Sequence, residues 1–477
     1  MQQQSAVIYW VRRDLRLADN PALTAALQSG KPVIPVVIHD QLQQELGAAP
    51  KWRLGLGLEH FSAALNEIGG TLIFRSGEPQ QVLETLIDET GADHLVWNRL
   101  YETKAMIRDS AIKKAFKERG IKVESFGGAV LFEPMSVETK TGGYYRVFTP
   151  FWNAVKNRDV TAPLPKVTRF QAPLEGPRSE QLGDWQMAKG MGRGAEVTRA
   201  YVQLGEAAAA SRLADFLQND VAFYAQRRDI PAVQGTSSIA ENLALGEISP
   251  RQCWHAALRA HFDGNAGAEA FLRQLVWRDF AYHLLYHTPH IAHSNWKPDW
   301  DAFPWSCDED DPKVHAWKQG RTGIRFVDAA MREMYVTGRM HNRGRMIVAS
   351  YLTKHLMCHW RIGQKWFEQC LIDWDCASNA MGWQWAAGSG PDAAPYFRIF
   401  NPDTQLAKFD PGDLYQERWI AEITNNPSST AISYFEAIPK GWKLTPDLVY
   451  PNPVVTLAEG RQKALNAYEN RCFKGKG

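Results

Sequence analysis

Ala6-Val7-Ile8-Tyr9-Trp10-Val11-Arg12-Arg13-Asp14-Leu15-Arg16 is an apolar run that ends abruptly in charge, the pattern of a strand buried on both faces. Runs of the same kind recur at Val33 to Ile38, Thr71 to Phe74, His94 to Trp97 and Ile121 to Ser125. Amphipathic stretches such as Leu56 to Ile68 and Gln80 to Glu89 lie between them with helical period. This alternation predicts a doubly wound parallel sheet, Rossmann-like in plan, over residues 1–130. No glycine fingerprint follows the first strand, so a dinucleotide is not expected at that turn, while a small ligand at the strand ends stays open.

Residues 131–200 hold Gly142-Gly143, Pro163, Pro165, Pro173, Pro177 and Gly190 with weak periodicity and read as a connector. From 201 to 477 the period turns helical. Leu213, Phe216, Leu217, Val221 and Tyr224 form one stripe, and Val327, Ala330, Met331 and Met334 fall at i, i+3, i+4 and i+7. The expected architecture is an α/β domain followed by an all-α domain. Asp308 to Asp311 reads as a solvated loop.

The chain has 477 residues, 45% of them hydrophobic and 22% charged, which excludes a disordered or low-complexity protein. Lys and Arg number 54 against 52 acidic residues, so nucleic-acid binding must come from a local patch. Cys253, Cys307, Cys358, Cys370, Cys376 and Cys472 form no CxxC pair, and reduced thiols without a metal site are expected. The N-terminal charges follow the apolar run, the reverse of a signal peptide, and no stretch is long enough to span a membrane. A cytoplasmic protein is expected. Of 18 tryptophans, all but Trp10, Trp52 and Trp97 lie beyond residue 150.

Three segments carry candidate chemistry. Arg321, Arg325, Arg332, Arg339, Arg343, Arg345, Lys354, Arg361 and Lys365 face only Asp328 and Glu333 within the same window. Such a run fits either a solvated basic face or, given the interleaved Tyr335, His341, Tyr351, His355, His359 and Trp360, a nucleic-acid surface. Gly235-Thr236-Ser237-Ser238 before a helical stretch suits a phosphate or an ordinary helix cap. Asp373 to Trp385, if helical, aligns Asp375, Asn379 and Trp383 on one stripe, with Arg345 as a partner for the carboxylates.

These segments, together with Trp10 to Leu17, Arg228-Asp229, Trp277 to Phe280, Thr337 to Arg343, Trp383-Gln384-Trp385 and Tyr396 to Pro402, resemble the photolyase and cryptochrome family nearly end to end. The likeness is greatest to class I cyclobutane pyrimidine dimer photolyases. It implies an antenna domain, a helical FAD-binding domain, UV-damaged DNA as partner, no membrane, and a monomer. It also implies repair in which light-excited reduced FAD lends an electron to the dimer and regains it.

By the same resemblance, Tyr224, Thr236, Ser237, Ser238, Ile239 and Ala240 would hold the phosphate and ribitol of FAD. Arg345, Asp373, Trp374, Asp375, Phe271 and Asn342 would complete the flavin pocket, with Asn379 near flavin N5. Trp383, Trp360 and Trp305 match the family's electron-hopping chain. Trp277 and Trp385 would wall a flipped dimer, with Gln274 and Met346 beside it, and Arg228, Arg278, Asn342, Arg343, Arg398 and Gln405 would contact DNA. Gln274 stands where class I enzymes usually carry glutamate, Arg339 where the family often has Trp, and Phe271 for a flavin-side Trp. Lys104-Ala105 replaces the folate-binding Asn-Glu pair, which leaves the antenna pigment, folate or deazaflavin, open. Asn342 and Met346 replace the histidines of 6-4 photolyases, so dimer repair is the main expectation, with a 6-4 photolyase or a cryptochrome photoreceptor as alternatives.

Overall fold

The computed structural model describes residues 5–392 and 397–470; Tyr396 and Cys472 lie outside the described residues. Five parallel strands, β1 (Val7–Trp10), β2 (Val33–His39), β3 (Ile73–Ser76), β4 (His94–Asn98) and β5 (Lys122–Phe126), pair in the order β3-β2-β1-β4-β5. Alternate residues feed two cores. Val7 and Tyr9 pack with Leu54, Leu58 and Phe61 of the helix Ala48–Glu67, while Ile8 and Trp10 pack with Leu83, Leu86, Ile112 and Phe116 from helices on the other face. Burial on both sides is why the strands read as continuous apolar runs.

The strand order reverses between β1 and β4, where open α/β sheets usually bind ligands. Here the chain fills that crevice itself. Asp14 accepts from the Tyr9 hydroxyl at 2.7 Å, from the Arg12 backbone N–H at 2.8 Å and from the Asn98 amide at 2.5 Å. Arg12 reaches Asp109, Asn20 donates to Tyr9, and all six network side chains, Tyr9, Arg12, Asp14, Asn20, Asn98 and Asp109, are buried.

Two apolar cores build the helical part. One holds Phe216, Tyr224, Phe271, Leu275 and Phe280; the other holds Trp305, Trp317, Met331, Trp360, Phe367 and Trp383. Val327, Ala330, Met331 and Met334 are buried on the helix Arg325–Thr337, as their spacing predicts. The stripe from Leu213 to Tyr224 is not one helix: it ends at Asn219, and Tyr224 opens a separate short helix, Tyr224–Arg227. Within residues 131–200 the helix Phe148–Val155 buries Phe148, Phe151, Trp152 and Val155 at i, i+3, i+4 and i+7. That stretch is therefore part of the core rather than a plain connector. Asp308 to Asp310 are exposed, while Asp311 caps the helix Pro312–Lys318. Among the described residues, no helix is long and apolar enough to cross a membrane, and no group of His, Cys, Asp or Glu could hold a metal ion.

Candidate active site

Where the two helical cores meet, they leave a cavity of about 1220 Å³. Its walls are Tyr224, Phe271 and Leu275 from one core and Met340, Phe367 and Trp383 from the other. Thr236, Ser237, Ser238, Ile239 and Ala240 line it from one segment, and Arg345, Asp373, Trp374, Asp375 and Asn379 from others. Arg228, Gln274, Trp277, Arg278, Asn342, Met346, Trp385 and Arg398 border the same space. A dinucleotide and a base-sized group fit together in this volume, which exceeds that of an ordinary small-ligand pocket, roughly 300–1,000 Å³.

The helix Cys376–Ala387 sets out one wall. Asp375 is its N-cap and accepts from the Ser378 backbone N–H at 2.7 Å, so Asn379 and Trp383 follow on successive turns. Burial pushes the Asp375 pKa up, but the Arg278 charge and hydrogen bonds from Tyr282 and Ser378 outweigh it and hold the carboxyl below its usual range. Arg345 grips both oxygens of Asp373, at 2.9 and 2.6 Å. The Asn379 amide NH2 donates to the Gln364 carbonyl at 3.0 Å, which fixes the amide plane and leaves Oδ1 as its acceptor. The neutral amide thus has a preferred sense that its sequence does not disclose.

The hydroxyl-rich segment does not cap the helix that follows: Ile239 occupies the N-cap of Ala240–Leu245 and makes no side-chain cap. Gly235 is required for close approach, because a Cβ there would lie 2.8 Å from Arg227 Cβ. Ser238 holds a left-handed φ of 51°, strain of the kind that collects at binding sites. Unpartnered buried donors point to a ligand as well. Trp374, Trp383 and Trp419 Nε1 and Arg339 Nε are buried without a partner among the described residues, and all four residues line the cavity. His341 Nδ1 accepts from the Arg343 backbone N–H, so Nε2 carries the proton, and burial lowers its pKa to about 4. Hydroxyls and spare N–H groups as donors, with an arginine-held carboxylate as acceptor, suit a ligand that carries phosphate and polar ring edges, as FAD does.

Among the residues expected beside a flipped dimer, Gln274 Oε1 accepts from Arg228 Nη2 at 3.2 Å, and the Asn342 amide lies 3.8 Å from Met346 Sδ. Trp360 donates to Asn295 at 2.8 Å and Trp305 to the Thr353 carbonyl at 2.8 Å. The His359 ring joins these two tryptophans, with centroids 5.4 and 5.3 Å away. Trp383 lies against Gly363 of the helix Trp360–Cys370 and meets Phe367 and Trp317 edge-on. Trp317 is a neighbour that the sequence does not single out.

Much of the basic window is paired within the fold. Arg321 and Arg332 pair with Glu422, Arg339 with Glu241, Arg343 with Asp229, Arg345 with Asp373, and Lys365 with Glu309. Lys354 is buried, its Nζ donating to the carbonyls of Ala386 and Arg398. Arg278 donates to the Ala129 carbonyl at 2.5 Å and lies over the Tyr282 ring. Arg343 and Gln405 do not line the cavity; Arg343 instead lies over Phe409. Glu333, Arg339 and His341 do line it, although the sequence reading gave them no role there. For His341 the signal was present within Thr337 to Arg343.

Comparison with known proteins places this geometry. A family described as the FAD binding domain of DNA photolyase matches residues 271–470, and one described as DNA photolyase matches residues 7–169. A deoxyribodipyrimidine photo-lyase of Agrobacterium fabrum is 43% identical, covering 97% of each chain. The crystal structure of a class III photolyase from Agrobacterium tumefaciens aligns at a TM-score of 0.90 with 42% identity, covering 98% of both chains. A Synechocystis cryptochrome structure, at 26% identity, aligns at 0.85 over 98% of this chain and 100% of its own. With its helical half matched as an FAD-binding domain and likeness running end to end, the chain belongs to the DNA photolyase family.

Proposed function

We propose that this family member repairs cyclobutane pyrimidine dimers in DNA under blue light, with FAD in the cavity. The observation that carries the reading is the joining of two residue sets in one space: Thr236 to Ala240, Asp373, Asp375 and Asn379 for the cofactor, and Gln274, Trp277 and Trp385 for a flipped dimer. Bound reduced FAD supplies the light-excited electron. The chain supplies position and dryness. Asn379 Oδ1 is held as an acceptor, Arg345 orients Asp373, and Trp277 and Trp385 offer aromatic planes to unstacked bases. Gln274 brings a donor and an acceptor to a pyrimidine edge without a titration step.

Likeness to the Agrobacterium class III enzyme favours class III over the class I affinity expected from the motifs. Asn342 and Met346 support dimers over 6-4 products, and neutral His341 is no acid at physiological pH. A cytoplasmic monomer acting on damaged DNA, with Trp383, Trp360 and Trp305 refilling the flavin, completes the reading; the antenna pigment, folate or deazaflavin, stays open. The purified protein should carry one non-covalent FAD, released on unfolding, and bind dimer-containing DNA in the dark in preference to undamaged DNA. A colourless protein, or equal binding to both DNAs, would overturn it.

A further inference from the structure

A buried charge cluster joins the sheet domain to the cavity. Arg53, from the helix Ala48–Glu67, is fully buried and donates to Glu247 at 3.0 and 2.5 Å and to Glu241 at 3.3 Å. Glu241, also buried, takes Arg212 at 2.7 Å and Arg339 besides. Three guanidinium groups thus share two carboxylates, which leaves one positive charge in surplus among these residues. Burial lowers the Arg212 pKa, and the charges of Arg339 and Arg53 add to the fall, the mark of crowded cations.

The surplus faces the cavity. Glu241, Arg339 and Ser238 line it, whereas Arg53, Arg212 and Glu247 stand behind. Arg339 spends Nη2 on Glu241 and on the Tyr201 carbonyl at 2.8 Å, while its buried Nε–H has no partner among the described residues. Arg212 donates to the Ser238 carbonyl at 2.6 Å and so secures the left-handed residue of the hydroxyl segment. A partly buried cation beside hydroxyls, in a cluster short of one negative charge, suits an anionic ligand.

We infer that this cluster seats the diphosphate of the dinucleotide through Arg339, and that Arg53 and Glu241 couple flavin retention to docking of the sheet domain; this rests on the FAD reading above. The diphosphate accepts from Arg339 Nε and from the Thr236 to Ser238 hydroxyls. Because Glu241 is shared between Arg339 and Arg53, cofactor binding and domain docking favour each other reciprocally.

The test is FAD affinity of the full-length apoprotein, read by quenching of flavin fluorescence, with circular dichroism confirming the fold. Arg339→Met should weaken FAD by about tenfold or more, the loss of one charge-assisted hydrogen bond. Arg339→Lys should recover most of it, and Arg53→Met, which touches no ligand, should weaken it too. Affinity within about twofold of wild type in both Met variants, or a Lys variant as weak as Met, would overturn the assignment. Wild-type apoprotein gives a variant-free check: ADP should compete with FAD at least about tenfold better than adenosine. Equal competition refutes the diphosphate seat alone, whereas wild-type apoprotein that binds no FAD overturns the flavin reading and this proposal with it.

Discussion

Phe148 lies flat on Trp277, ring centroids 3.7 Å apart and planes 9° from parallel. One face of Trp277 is thereby covered, and the ring is held by a helix from the segment that links the domains. Phe148→Ala should let Trp277 swing. An aromatic pair contributes about 0.5–1.5 kcal/mol beyond area, so binding of dimer-containing DNA should weaken by roughly two- to tenfold. Flavin content should stay at one per chain. A titration with damaged oligonucleotide checks this, and unchanged affinity would show that Trp277 needs no backing.

Asp229 holds Arg343 at 2.7 Å and so masks a cation beside the cavity. Asp229→Asn should free it, raise affinity for DNA at low salt, and steepen the logarithmic salt dependence by up to about one unit. Arg343→Ala should flatten the slope by less than that, because the wild-type charge is already partly neutralised. Identical slopes in all three proteins would remove Arg343 from the DNA contact.

Gly363 is kept bare by Trp383, since a methyl there would sink into the indole ring. Gly363→Ala should displace Trp383 and slow photoreduction of oxidised flavin. Trp383→Phe should abolish photoreduction yet leave dimer repair intact when the flavin is reduced chemically beforehand. Transient absorption and a repair assay on the same samples separate the two effects.

Glu333 gives the pH dependence a sign. Burial raises its pKa to about 7, against hydrogen bonds from the Tyr415 hydroxyl at 2.6 Å and the His341 backbone N–H at 3.1 Å that pull it down. The folded state therefore holds a proton that the unfolded chain has already lost above pH ~4.3. The stability it contributes is fully present below that value and is lost as pH rises through 7. Glu333→Gln should flatten this part of the pH profile of Tm. A variant whose Tm falls as steeply as wild type between those values would place the titration elsewhere.

The sheet was legible because a strand buried on both faces must be apolar throughout, and the cavity set because its motifs are long. The pairing of the basic window was not legible for a physical reason: its neutralising carboxylates, Glu241, Asp229 and Glu422, lie outside it in sequence and arrive only on folding. The helix Phe148–Val155 was hidden by glycines and prolines on either side, although its own spacing was regular. Leu213 to Tyr224 kept the period across a break that only backbone geometry reveals. The orientation of the Asn379 amide depends on Gln364, a contact no local pattern encodes.

The most direct measurement of the central claim is blue-light repair by protein whose flavin is reduced beforehand, on oligonucleotides carrying one defined cyclobutane dimer or one 6-4 product. The account predicts light-dependent restoration of the dimer substrate, none in the dark, none of the 6-4 product, and loss on Gln274→Leu, which leaves pyrimidine edges buried and unpaired. Flavin-loaded protein that leaves dimers intact under light, or that restores only 6-4 products, would contradict it.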